Sequence, residues 1–231
     1  PSRFQAIAAV SKAASIRLSR RPVGLVLGLA LLAWGLAAGC GPARPGAEGA
    51  GQASRILRLG NGAEPKSLDP HLVTGVAEHN VLMALLEGLV SEDPRTLEPV
   101  PGVAERWEVA EDGCTYTFHL RDSARWSNGD PVLAADFVFS FRRMLAPALA
   151  AEYAYMLYPL KNARAYNTGA LADPALVGAV ASAERTLVLT LEHPTPYFLQ
   201  LLNHTSWLPV HPGTIERHGR IDQRHTPWTR P

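Results

Sequence analysis

Residues 101–143 read PGVAERWEVAEDGCTYTFHLRDSARWSNGDPVLAADFVFSFRR, and two periodicities stand side by side in them. Trp107 and Val109 precede the turn residues Glu111, Asp112 and Gly113, after which Tyr116, Phe118 and Leu120 alternate with Thr115, Thr117 and His119. A period of two carried by aromatic and β-branched residues predicts a hairpin over 104–121 with one apolar face. Beyond the turn signal Ser127-Asn128-Gly129-Asp130-Pro131 the period lengthens. Phe137, Val138, Phe141, Met144 and Leu145 recur at helical spacing, and Pro147 stops the helix. Strands and an amphipathic helix in succession give a mixed α and β chain.

Toward the C-terminus, Leu187, Leu189 and Leu191 alternate with Val188 and Thr190 after turn residues 182–185, which predicts another strand. Short helices are expected at 197–202 and 214–218. Toward the N-terminus, Val81, Leu82, Leu85, Leu86 and Leu89 predict a helix over 77–87 with one buried face, ended by Gly88. A loop over 62–75 precedes it. Ile56, Leu57 and Leu59 form a short strand candidate, closed by Asn61-Gly62. The elements interleave without strict βαβ order, and no internal repeat is present.

With 231 residues, 47% of them apolar and 19% charged, the chain has ample material for a core. Its net charge of +1 hides an asymmetry: Arg3, Lys12, Arg17, Arg20 and Arg21 lie in the first 39 residues, which hold no acid. The remainder has 17 basic against 21 acidic groups, so no long basic stripe is available and nucleic acid is excluded as an expected partner. The basic run, an apolar run over 23–36, and Ala37, Ala38 and Gly39 before Cys40 follow the order of an export signal. The alternative is an uncleaved anchor, but 23–39 is only 17 residues, at the lower edge of the roughly 20 that span a bilayer. We therefore expect a signal peptide over 1–39, and a tether over 40–54 that is rich in Gly, Ala and Pro. Residues 37–40 resemble a bacterial lipobox, which implies lipid attachment at Cys40. Cys114, the other cysteine, is then left without a disulfide partner and is read as a small core hydrophobe.

No Gly-rich phosphate loop, HExxH or GxSxG motif occurs, so no catalytic residues are assigned and no cofactor is expected. His204 beside Thr205, or His211 near His218, suggests a metal site only weakly, since isolated histidines are commoner. Tyr153, Tyr155 and Tyr158 fit either a ligand wall or packing at a helix edge.

Ser67-Leu68-Asp69-Pro70-His71, then Glu87-Gly88-Leu89, then the 101–143 stretch, then PTPYFLQLLNH over 194–204 occur in an order that resembles one family. It is that of the peptide, nickel and related solute-binding proteins of ABC importers, family 5, and most of all its oligopeptide-binding branch. The likeness runs over about 57–231. It implies a two-lobed α/β fold of the periplasmic-binding-protein kind (type II, cluster C) with a mixed sheet. Residues 55–231 would supply the first lobe and part of its partner subdomain, stopping ahead of the second lobe.

The resemblance further implies a lipoprotein, periplasmic or at the cell surface, that captures oligopeptides for permease subunits without acting as an enzyme. Dipeptides, murein peptides, a nickel chelate or haem are the alternative ligands, and a lipid-anchored enzyme or interaction protein the alternative role. By position, Thr74, Gly75 and Val76 would offer backbone groups to the peptide, and Tyr153 would line the cleft. Thr74 stands where an acid can occur in the family, so no preference for a basic peptide side chain is implied. Leu133 replaces the Ser or Thr that usually caps the helix three residues ahead of Asp136, an expected loss of about 1 kcal/mol.

Overall fold

The period-two pattern at 115–120 becomes the centre of a four-stranded antiparallel sheet. The computed structural model describes residues 58–218. Cys40, the expected signal peptide and tether, the Ile56-Leu57 part of the strand candidate and residues 219–231 lie outside the described residues. In chain order the elements are α1 (Val76–Leu85), β1 (Val90–Glu92), β2 (Pro99–Pro101), β3 (Ala104–Val109), β4 (Thr115–Leu120), α2 (Ala134–Leu145), α3 (Ala163–Asn167), β5 (Ala179–Ala183), β6 (Thr186–Thr190), α4 (Phe198–Leu201) and α5 (Pro212–His218).

The large sheet has the order β3-β4-β6-β5, with Trp107 opposite Phe118, and Phe118 opposite Leu187. Asp112 shapes the first hairpin: its carboxylate accepts the Cys114 and Thr115 amides, and Gly113 takes a φ of 64° that a side chain would resist. Tyr116, Phe118, Leu120, Leu187 and Leu189 fill the buried face, as the alternation requires. β5, with the sequence AVASA, pairs along the far edge of β6 through an irregular register. β1 and β2 form a separate two-stranded ribbon whose prolines sit at strand ends, where a missing N–H costs least. It is joined to the large sheet by close contact at Gly102, whose backbone lies against the Gly88 and Leu89 carbonyls.

α2 lies against β5 and β6 and buries Phe137, Phe141, Met144 and Leu145, each side chain worth about 1.5–3 kcal/mol on removal from water. Its expected capping defect is only partial. Leu133 has no acceptor, but its own amide donates to Asp136 Oδ2 at 3.0 Å, and the Ala134 amide donates to the Glu184 carbonyl at 2.8 Å. Asp136 Oδ2 also receives Trp126 Nε1 at 2.9 Å. Trp207 closes the core from the other side, edge-on to both Phe141 and Phe198.

Two expectations need correction. α1 does not bury a broad face: Leu82 is enclosed, whereas Leu85 is 66% exposed. Cys114 is half-buried, packed against the core margin, and not inside it.

Candidate functional site

The site is built from the turn at Asp69 outward. Ser67 Oγ accepts the Asp69 amide, Asp69 Oδ1 accepts the His71 amide, and the Asp69 carbonyl accepts the amides of Leu72 and Val73. Pro70, second in this turn, presets its φ. The turn is pinned from α2, because Arg143 places Nη1 3.0 Å from Asp69 Oδ1 and Nη2 2.6 Å from Oδ2. Arg143 is 0% exposed, Asp69 2% and His71 1%, so both charges lie in the interior and each depends on the other. Burial alone would raise the Asp69 carboxyl, but Arg143 and His71 together outweigh it and hold the group below its ordinary value. His71 connects the pair to the segment after the short helical turn Thr205–Trp207: its Nδ1 faces Arg143 Nη1 at 2.8 Å, and its Nε2 faces the Leu208 carbonyl at 3.2 Å.

Val73 then packs with Leu82 and Leu208, and this small cluster presents Thr74, Gly75 and Val76 at the surface at the start of α1. Tyr153, just before the helical turn Ala154–Leu157, donates its hydroxyl to the Thr74 carbonyl over a long 3.4 Å. The four residues singled out in the sequence therefore meet, around an open pocket of about 170 Å³. Four further residues complete its lining: Val73 from the loop, His79 from α1, and His204 and Thr205 from the segment after α4. His204 stands edge-on to the Tyr153 ring at a centroid distance of 5.1 Å. Its Nδ1 accepts the Ser206 amide at 3.2 Å, so in the neutral ring the proton is on Nε2. Burial, followed by the nearby His79, lowers the pKa of His204 and favours that neutral form.

No Asp, Glu, Lys or Arg side chain lines this pocket. Glu78, on the other side of Gly75, accepts the Lys66 amide at 2.8 Å, and its own amide also lowers its pKa. It is 6% exposed while lying at the periphery, with its carboxylate against Gly75 and covering the amide end of α1. The pocket thus offers a carbonyl, a phenol and a neutral imidazole, the equipment for hydrogen bonding to uncharged polar groups. Tyr155 and Tyr158 are not part of it. Tyr158 donates to Asn167 Oδ1 at 2.8 Å within the structure, and Tyr155 touches the site only through the edge of Tyr153. Among the described residues no cluster of three His, Cys, Asp or Glu side chains could hold a metal ion.

His79 lies three residues after Val76 on the same helix, a spacing that could have pointed to it. His204 and Thr205, which the sequence offered only as a weak metal candidate, come from a distant segment, and nothing local tied them to this pocket.

A profile of the bacterial extracellular solute-binding proteins, family 5 (middle), matches residues 98–229. The periplasmic oligopeptide-binding protein OppA of Haemophilus influenzae is 45% identical over 163 residues, 70% of this chain and 30% of that protein. The dipeptide-binding protein DppE of Bacillus subtilis is 34% identical over 208 residues, 89% of this chain and 37% of that protein. The crystal structure of H. influenzae OppA in complex with RPPGFSPFR superposes with a TM-score of 0.66 at 46% identity, covering 69% of this chain and 31% of that one. The chain spans about a third of the length of these relatives.

Proposed function

Because this chain belongs to family 5 of the bacterial extracellular solute-binding proteins, we propose that it serves the capture of oligopeptides outside the cytoplasmic membrane and their delivery to the permease of an ABC importer. The observation that carries the reading is the meeting of Thr74, Gly75, Val76 and Tyr153 around one pocket that no Asp, Glu, Lys or Arg side chain lines. An extended peptide presents N–H and C=O groups whatever its sequence. Neutral partners such as the Thr74 carbonyl, the Tyr153 hydroxyl and the His204 imidazole can bond those groups without selecting a side-chain charge. Similarity to proteins named as oligopeptide-, dipeptide- and murein peptide-binding supports the same ligand class.

In this proposal the ligand is held and released unchanged, with no enzymatic step. Residues 1–39 direct export, Cys40 carries a lipid, and 40–54 tether the folded portion at the periplasmic or outer face of the membrane. Residues from 55 onward carry Thr74, Gly75, Val76 and Tyr153 as peptide contacts. The test is calorimetric titration of the natural mature polypeptide with peptides of two to nine residues. Tyr153→Ala is expected to weaken binding about tenfold or more, about 1.4 kcal/mol, while lowering stability by less. Unchanged affinity beside a clear loss of stability would assign Tyr153 to packing and remove the pocket from the binding site.

A further inference from the structure

We propose that His71 is the positioning residue of loop 72–75: as a neutral ring it ties Arg143 of α2 to the Leu208 carbonyl, and its protonation frees the loop. The functional meaning of this lock rests on the reading of that loop as a peptide contact.

The bonding around the ring allows one arrangement. A guanidinium has only donors, so His71 Nδ1, 2.8 Å from Arg143 Nη1, must accept. A carbonyl only accepts, so Nε2, 3.2 Å from the Leu208 oxygen, must hold the ring's single proton. A second proton would have to enter on Nδ1 against a cationic donor, inside a site that is 1% exposed. The charged groups facing the ring are Arg143 from α2 and Asp69 from its own turn; the segment after Thr205–Trp207 supplies only the Leu208 carbonyl. Asp69 cannot swing over to neutralise the new charge, because its two oxygens already hold Arg143 and the His71 amide. The loss would pass directly along the chain. Leu72 and Val73 hang from the Asp69 carbonyl, Val73 packs on Leu208, and Thr74 follows.

The direction of the pH effect follows from the shift. Burial, and next Arg143, lower the pKa of His71 to about 4, so the closed loop stays neutral where an open one takes a proton near the ordinary 6.5. A group depressed in the closed state stabilises that state above its ordinary pKa and ceases to do so as pH falls. The equilibrium constant for opening should therefore rise about twentyfold between pH 7 and pH 5.

Amide exchange of Leu72 and Val73 in the full natural chain, corrected for intrinsic rates, tests this. Protection should fall about twentyfold from pH 7 to pH 5 in the wild type and stay level in His71→Gln, whose amide oxygen can accept from Arg143 and whose NH2 can donate to Leu208. A wild-type fall below threefold, or an equal fall in the Gln variant, overturns the lock. If the variant does not fold, the wild-type ring decides the matter by NMR, because a His71 that titrates near 6.5 in the folded protein refutes the proposal. Peptide affinity measured alongside keeps the two readings apart. A loop that opens without loss of affinity sustains the lock and overturns the peptide-contact assignment. A loop that stays closed while affinity is normal does the reverse.

Discussion

Replacing Arg143 with Met should be among the costliest single changes in the folded portion, although Met keeps an unbranched apolar stem. The guanidinium satisfies both oxygens of Asp69 at 3.0 and 2.6 Å, and neither residue reaches solvent. Removing one member of such a pair leaves an uncompensated interior charge and costs about 3–5 kcal/mol, against a total stability of about 5–15. With a urea dependence of about 2 kcal/mol/M, a loss of about 4 kcal/mol would move the unfolding midpoint down by about 2 M. The pH dependence gives a sharper signature. Without Arg143, the burial that already opposes ionisation of Asp69 prevails, and the folded-state pKa rises above the unfolded value. The variant's deficit should then be full at pH 7 and shrink as pH falls toward 5 and Asp69 protonates. Adding Asp69→Asn to the variant should recover about 1 kcal/mol or more at pH 7 by removing the stranded charge. Urea titrations at the two pH values measure all of this. A loss below about 1 kcal/mol at pH 7, or a deficit independent of pH, would refute the claim that the pair anchors the turn.

Gly102→Ala should destabilise by about 2–3 kcal/mol, since a Cβ there would lie 2.7 Å from the Gly88 carbonyl oxygen and 3.1 Å from that of Leu89, both backbone atoms with little freedom to yield. Calorimetry should show Tm falling by about 4–10 °C, and an unchanged Tm would mean the ribbon is not held as closely as described. Leu133→Thr should raise Tm by a few degrees: a hydroxyl would supply the missing half of the box whose other half, the Leu133 amide on Asp136, already exists. A fall in Tm would show that the half-buried Leu133 side chain contributes more through packing than a cap would.

Elements carried by a clear alternation or helical spacing were legible in the sequence. The 104–121 hairpin and α2 stand where their periods place them, as does β6, because alternation and helical spacing each expose one apolar face that must be covered. β5 was not foreseen, since Ala, Val, Ala, Ser and Ala carry little strand preference and most of them are exposed. β1 and β2 escaped notice at three residues each, with proline at both ends of β2. Of the site, Thr74, Gly75, Val76 and Tyr153 came from a family likeness and not from any local pattern. Asp69, His71 and Arg143 were visible only as motif letters. Arg143 in the last turn of α2 suits the helix dipole and would by that reasoning face water, yet it points inward because a carboxylate 74 residues away is there to meet it.

The order β3-β4-β6-β5 has a kinetic consequence. Each hairpin is a local event: five residues separate β3 from β4, and two separate β5 from β6. Joining β4 to β6 requires closing the chain over residues 121–185, which by loop entropy alone costs about 2 kcal/mol more than closing the first hairpin. α2 lies inside that long loop and packs on β5 and β6, so it travels with the second hairpin as one side of the seam. The sheet is then two prefabricated halves, and the slow step is their zippering along Phe118 and Leu187, the pair at which a folding intermediate would still show bare apolar edges.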